Sequence, residues 1–167
     1  MFDGKARIIS IPQIQGLSVV SLDSFRDERG ENVELYSKDS FGGLMPEVKV
    51  VSMSRSKVGV LRGFHGDSEN WKAIRPNRGH IQFVALDARP ESGTFEKWAE
   101  FSMDSSQNEW IVMPPGVVNA HYARTDCEFM YLLSKNYAPQ DKQIHVKWNK
   151  YPIPWDNLAP ILSKRDA

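Results

Sequence analysis

The chain has 167 residues, the size of one domain and enough to bury roughly two thirds of its unfolded surface around one core. Its 21 basic and 21 acidic side chains cancel, which argues against nucleic-acid and membrane partners and leaves any anion binding to local clusters. Cys127 is the only cysteine, so no intrachain disulfide framework exists. Its neighbours Asp126 and Glu128 predict an inert thiol in a reducing cytoplasm.

The opening run MFDGKARIISIPQIQG lacks the apolar core of a signal peptide, and no stretch approaches the ~18 apolar residues of a membrane span. No repeat or linker divides the chain, so one domain over 1–167 is expected. The segment GLSVVSLDSF runs into a turn at Arg26 to Gly30, and Asn32 to Tyr36 resumes an extended pattern. Val51 and Met53 alternate with Ser52 and Ser54; Ile81, Phe83 and Ala85 alternate with Gln82, Val84 and Leu86. WAEFSM and EWIVM flank a polar turn at Asp104 to Asn108, and DCEFMYLLS follows the turn at Pro114 to Gly116. Helical periodicity is weak except over 37–44 and near the C-terminus. Many short strands at roughly ten-residue spacing predict an all-β sandwich or barrel of the jelly-roll type, with a few short peripheral helices.

The chemistry concentrates around His65 in LRGFHGD. Arg62 lies just upstream and Lys72 seven residues downstream, a set that can hold an anion and move a proton beside it. Each residue also has a plainer reading. His65 can be a half-buried strand histidine satisfied by a backbone carbonyl, and Lys72, Arg62 and Arg29 can be surface cations. Tyr131 shares a strand face with Phe129 and Leu133, as a core tyrosine would. Asp166 can be a solvated terminal residue. The four histidines, His65, His80, His121 and His145, form no HxH pair with a nearby glutamate on one strand, so no metal is expected. No glycine-rich strand-to-helix turn cradles a phosphate.

The landmarks DERG (Asp27 to Gly30) with Glu34 after it, LRGFH, Lys72, LDAR into GTFEKW, PPG, Tyr131, NYAP, WN and ILSKRD follow one another along nearly the whole chain. In that order they resemble the nucleoside-diphosphate 4-keto-sugar 3,5-epimerases, the dTDP-4-dehydrorhamnose 3,5-epimerase family with its cupin-like jelly roll. HGD, the short gap to Lys72, PPGVVNAHY and ILSKRD are more similar to epimerases acting on GDP-linked 4-keto-heptoses for capsule and lipopolysaccharide-type surface polysaccharides. Where the dTDP enzymes carry a Gln and an Asn on the strand before this run, the chain has Val50 and Ser52. Where they carry a histidine after PPG, an ungapped reading places Asn119, with His121 two residues later.

The resemblance implies a cytoplasmic homodimer without cofactor, inverting C3, C5 or both of a nucleotide-linked 4-keto sugar. Such inversion removes the C–H proton beside a ketone on one face, stabilises an enolate and returns a proton on the other. His65 is the natural base and Lys72 supplies charge toward the enolate. The resemblance adds Asp166 to fix the tautomer of His65 and Tyr131 as the opposing acid. Arg62 and Arg29 become diphosphate clamps, with Lys135, Arg75 and Arg78 as further candidates. Glu34, Asn119, His121 and Ser52 are expected to contact substrate. The rival readings are a 3,4-ketoisomerase on the same jelly roll and a non-catalytic sugar-nucleotide or glycan-binding cupin.

Overall fold

A computed structural model describes residues 6–41 and 43–167, so the first five residues of the opening run, and Gly42 within the 37–44 window, lie outside it. Thirteen strands are described: β1 (Arg7–Ser10), β2 (Ser18–Ser21), β3 (Ser24–Asp27), β4 (Gly30–Val33), β5 (Val50–Ser56), β6 (Leu61–Asp67), β7 (Lys72–Arg78), β8 (His80–Asp87), β9 (Trp98–Asp104), β10 (Glu109–Met113), β11 (Val117–Ala123), β12 (Cys127–Leu133) and β13 (Gln143–His145). They form a six-stranded sheet ordered β1-β2-β10-β7-β12-β5, a five-stranded sheet ordered β13-β6-β11-β8-β9, and the small hairpin β3-β4. The jelly-roll expectation is met. Between the two larger sheets lies a core that includes Ile74, Phe83, Ile111 and Phe129.

Both sheets are covered on their outer faces as well, which simple alternation does not foresee. Trp110, Val112 and Leu132 on the outside of the larger sheet are packed by Phe41 and Met45. Val84, Leu86 and Val118 on the outside of the smaller sheet are packed by Ile153 and Trp155 from the C-terminal segment. Every residue of β8 after His80 is therefore buried. Even Gln82 is buried, its amide satisfied by Glu100, the carbonyl of Pro154 and the N–H of Asp156.

The helical windows are overturned. Residues 38–41 and 43 form turns and Leu44 a bend, and the only helices among the described residues are 3₁₀ turns at Ser105–Gln107 and Gln140–Lys142. The first sits in the predicted turn and carries a capping box between Asp104 and Gln107. No described helix is long and apolar enough to cross a membrane. The β8–β9 connection is held by Asp87, fully buried, which accepts from Ser92 Oγ and Thr94 Oγ1 at 2.6 Å each. Burial pushes its carboxyl up, but these bonds and Arg89 outweigh it and hold the group well below the usual carboxylate range.

Candidate active site

His65 sits near the end of β6, with β11 on one side and β13 on the other. Two glycines make this crowding possible. A Cβ on Gly63, at φ +117°, would lie 2.5 Å from the carbonyl oxygen of Asn119, and one on Gly66 2.8 Å from Val118. The β6–β11 register slips between its Asn119↔His65 and His121↔Arg62 pairs, the kind of irregularity that re-aims side chains beside a site.

The partner of His65 is a carboxylate rather than a backbone carbonyl. Its Nε2 lies 2.7 Å from Oδ1 of Asp166. Asp166 is 4% exposed and accepts from Ser163 Oγ at 2.9 Å. Its chain segment is tied to the start of β6 by Leu61 N–H to Ile161 O and by Ile161 N–H to Gly59 O. The residue is thus not a frayed terminus. The carboxylate beside Nε2 favours the tautomer protonated there, which leaves the lone pair on Nδ1, a nitrogen buried without a partner among the described residues. Burial lowers the pKa of His65; Asp166 opposes that, while Arg165 and His145 add to it.

His145, directly opposite His65 in the β6–β13 register, was not singled out by the sequence reading. Its ring stacks on His65 at a centroid distance of 5.0 Å, and its Nε2 is 3.5 Å from the same Asp166 oxygen.

A cavity of about 510 Å³ opens beside this pair, lined by His65, Lys72, Asn119, His121, Tyr131 and Arg62 among others. An adjoining hollow of about 200 Å³ shares His65, Lys72 and Tyr131 and adds Ser52. Lys72 opens β7 and Tyr131 lies on β12, so both come from the larger sheet and face His65 across the space. Lys72 Nζ donates to Asn119 Oδ1 at 3.4 Å. Burial lowers its pKa, with Asp67 opposing. Tyr131 satisfies both of its readings: its ring meets Phe129 edge-on at 5.9 Å, and it also lines the cavity. Burial pushes its phenol up to about 12, with Ser54 opposing. Such a phenol keeps its proton at neutral pH.

The predicted diphosphate clamp divides. Arg62 lines the cavity and donates to Ser56 Oγ and Arg55 O. Arg29 instead pairs with Asp27 and lines a separate hollow with Phe25 and Asn32. Glu34 is exposed and lines neither lobe. Arg75 is 4% exposed, donates to Asn108 and sits over Trp110, so its role is in packing. Arg78 lines another hollow with Cys127, and Lys135 lies 3.9 Å from Glu69. The sequence reading passed over Arg165 and Tyr137, which line both lobes. Both sit inside quoted runs, ILSKRD and NYAP, and a cationic and an aromatic residue there were the available signal. Cys127 is buried, and burial pushes its thiol up to about 11. That matches the inert reading, through burial first and Asp126 only last.

Among the described residues one group can hold a metal ion: His65, His145 and Asp166 place donor atoms within 4.8 Å of one another. The absence of an HxH pair on one strand therefore did not prevent a two-histidine, one-carboxylate cluster from assembling in space. Arg165 and the imidazole work required of His65 argue against a resident ion. Prolonged chelation is expected to leave turnover unchanged, with no stoichiometric transition metal in elemental analysis. Loss of activity that zinc or iron restores would reverse that expectation.

Residues 12–167 match the family model described as dTDP-4-dehydrorhamnose 3,5-epimerase. The chain is 32% identical over 155 residues to the dTDP-4-dehydrorhamnose 3,5-epimerase of Salmonella typhimurium, covering 86% of this chain and 83% of that one. It is 31% identical to the enzyme of the same name from Escherichia coli, covering 92% and 88%. Among solved structures, that of the Bacillus anthracis dTDP-4-dehydrorhamnose 3,5-epimerase with TDP and PPi bound superposes with a TM-score of 0.88 at 25% identity, over 96% of each chain. A 3'-monoepimerase from Streptomyces bikiniensis in complex with dTDP-quinovose superposes with a TM-score of 0.83 at 30% identity, over 92% of this chain and 82% of that one.

Proposed function

The chain belongs to the dTDP-4-dehydrorhamnose 3,5-epimerase family and is an isomerase acting on a sugar nucleotide, and from that premise we propose the residues and the substrate through which it works. His65 removes the proton beside the 4-keto group, held in one tautomer by Asp166. Lys72 faces the developing enolate, and Tyr131 returns a proton from the other side. The observation that carries this reading is the placement of His65 and Tyr131 on opposite sheets across one cavity, with Lys72 beside them. A planar enolate held between them is deprotonated on one face and reprotonated on the other, which inverts the carbon. Arg62 and Arg165 are the cavity's candidate partners for the diphosphate.

For the nucleotide we favour GDP on a 4-keto heptose or hexose, serving surface-polysaccharide synthesis. Val50 and Ser52 replace the Gln and Asn of the resembling dTDP enzymes, and Ser52 lies in the smaller lobe. The relatives above are named for dTDP sugars, so both nucleotides belong in the test. The enzyme is incubated in heavy water with 4-keto GDP- and dTDP-sugars, and deuterium at C3 and C5 is read by NMR. Faster uptake and inversion with the GDP substrate is expected. The reverse ranking restores dTDP, and migration of the carbonyl without inversion marks a ketoisomerase.

A cytoplasmic setting fits the buried, reduced Cys127. A homodimer is supported by the edges of the larger sheet. Outer strand β1 exposes Ile8 and Ile9, and outer strand β5 exposes Val51 at 60% and Met53 at 46%. β1 pairs within the chain with β2, so it is the outer edge of β1 that remains for a second copy. Sedimentation at micromolar concentration should give twice the 19.0 kDa chain mass, and a monomeric mass would sink the proposal.

A further inference from the structure

We propose that His121 is a catalytic electrophile: a neutral imidazole that donates its single N–H to the ketone oxygen of the substrate and holds it more tightly as that oxygen becomes an enolate. The inference rests on the epimerase reading and deepens it. His121 is 2% exposed, and neither Nδ1 nor Nε2 has a hydrogen-bond partner among the described residues. Buried polar atoms are nearly always paired, so a ring with both nitrogens unpaired is a ring kept for something else. It lines the cavity that holds His65, Lys72, Asn119 and Tyr131. As the second residue after Asn119 on β11 it presents to the same sheet face as the lysine's partner. Phe129 meets the ring edge-on at 4.1 Å and fixes its plane.

The charge state suits this task. Burial, then the nearby cations Arg62 and Lys72 and the ring of His65, hold the pKa down at about 3, so the imidazole is neutral at neutral pH. A neutral imidazole carries one N–H, and because no group among the described residues claims either nitrogen, the ligand selects which one bears it. When His65 takes the α-proton, the C–H electron pair forms the C=C bond of the enolate and the carbonyl π pair moves onto oxygen. His121 keeps its proton throughout and contributes only a strengthening hydrogen bond. A preorganised donor in a buried site acts on the oxygen that gains charge, so its effect falls on the transition state more than on bound substrate.

The test is His121→Phe, which keeps an aromatic ring against Phe129 and removes both nitrogens. Thermal unfolding should show Tm unchanged or raised, because an unpaired buried polar ring is replaced by an apolar one. With the 4-keto substrate that the wild-type enzyme accepts, kcat should fall about 10²–10³-fold, the usual cost of one such donor, with KM unchanged. Deuterium exchange at the α-carbon should fall in parallel. His121→Gln, which restores an amide N–H, should recover part of the loss. Should the phenylalanine variant not fold, His121→Met carries the same expectation in an unbranched apolar side chain. Wild-type kcat in the Phe or Met variant, or a rise in KM alone, overturns the proposal. Wild-type protein that epimerises no 4-keto sugar nucleotide overturns the epimerase reading itself, and this inference with it.

Discussion

His65→Asn is expected to abolish deuterium uptake at every carbon that exchanges in the wild-type protein, while leaving the fold and nucleotide binding intact. The loss should be at least the 10²–10⁴-fold that a positioned general base supplies, because no other described group combines a lone pair with a place in the cavity beside Asp166. Lys72 faces the same space, but a protonated lysine has no lone pair to offer. His121 has one, yet its low basicity makes it a poor proton acceptor. Retained folding is expected because His65 is only half-buried and the pairing of β6 with β11 and β13 is made by its backbone. The side chain loses only its stacking on His145 and its contact with Asp166. The same imidazole sets the acid side of the pH profile. A base works only when unprotonated, and burial lowers the pKa of His65 despite Asp166, so the acid limb should lie below where a free imidazole would place it. Asp166→Asn removes the one charge that raises that pKa through direct contact. It should cut kcat by destabilising the imidazolium and move the acid limb lower still. Exchange near the wild-type rate in His65→Asn would remove this residue from the mechanism.

Strand positions were legible from alternation, but not which face is covered: Val51 and Met53 are exposed on β5, and β8 is buried on both faces. Val51 and Met53 against Ser52 and Ser54 is a period-two signal, and β5 lies where that signal does. The turn at Asp104 to Asn108 was readable from its side chains, and Asp104 caps the 3₁₀ turn there. The helical window failed because Phe41, Leu44 and Met45 repeat at helical spacing for another reason. They pack as a turn-rich loop against Trp110, whose indole N–H donates to the carbonyl of Leu35. Spacing alone does not separate an amphipathic helix from a loop that covers a sheet. The C-terminal segment misled in the same way, since Ile153 and Trp155 cap the smaller sheet without forming a helix.

For the site, His65 and Lys72 announced themselves through chemistry within one short run. Asp166 and Tyr131 required the family resemblance, because what joins them to His65 is the folding of the tail and the facing of the two sheets. His145 had no such signal. It reaches His65 through the pairing of β13 with β6, a contact across the whole intervening chain. Arg75 shows the converse error, since a strand arginine reads as a clamp until the fold places it behind the sheet on Trp110.

Tyr131→Phe should separate the two halves of the reaction. The substitution keeps the ring edge-on to Phe129 and deletes only the phenol, so packing is conserved. His65 and Lys72 remain, and the enolate still forms from the His65 side. The proton that His65 has taken then exchanges with solvent and returns to the face it left. Deuterium is therefore washed into the substrate with its configuration retained, while net inversion falls by about 10²–10⁴-fold, the scale of losing one general acid. The elevated pKa of the phenol is consistent with this role: at about 12 the group is protonated and ready to donate through the whole range in which His65 is a base. It also implies that Tyr131 imposes no alkaline limb near neutrality. Any alkaline fall in rate below the ordinary range of a lysine belongs elsewhere, and Lys72 is the candidate, since burial lowers its pKa and deprotonation removes its charge from the enolate. Inversion at the wild-type rate in Tyr131→Phe would reduce the tyrosine to a core residue and transfer proton return to a water or another donor on that face.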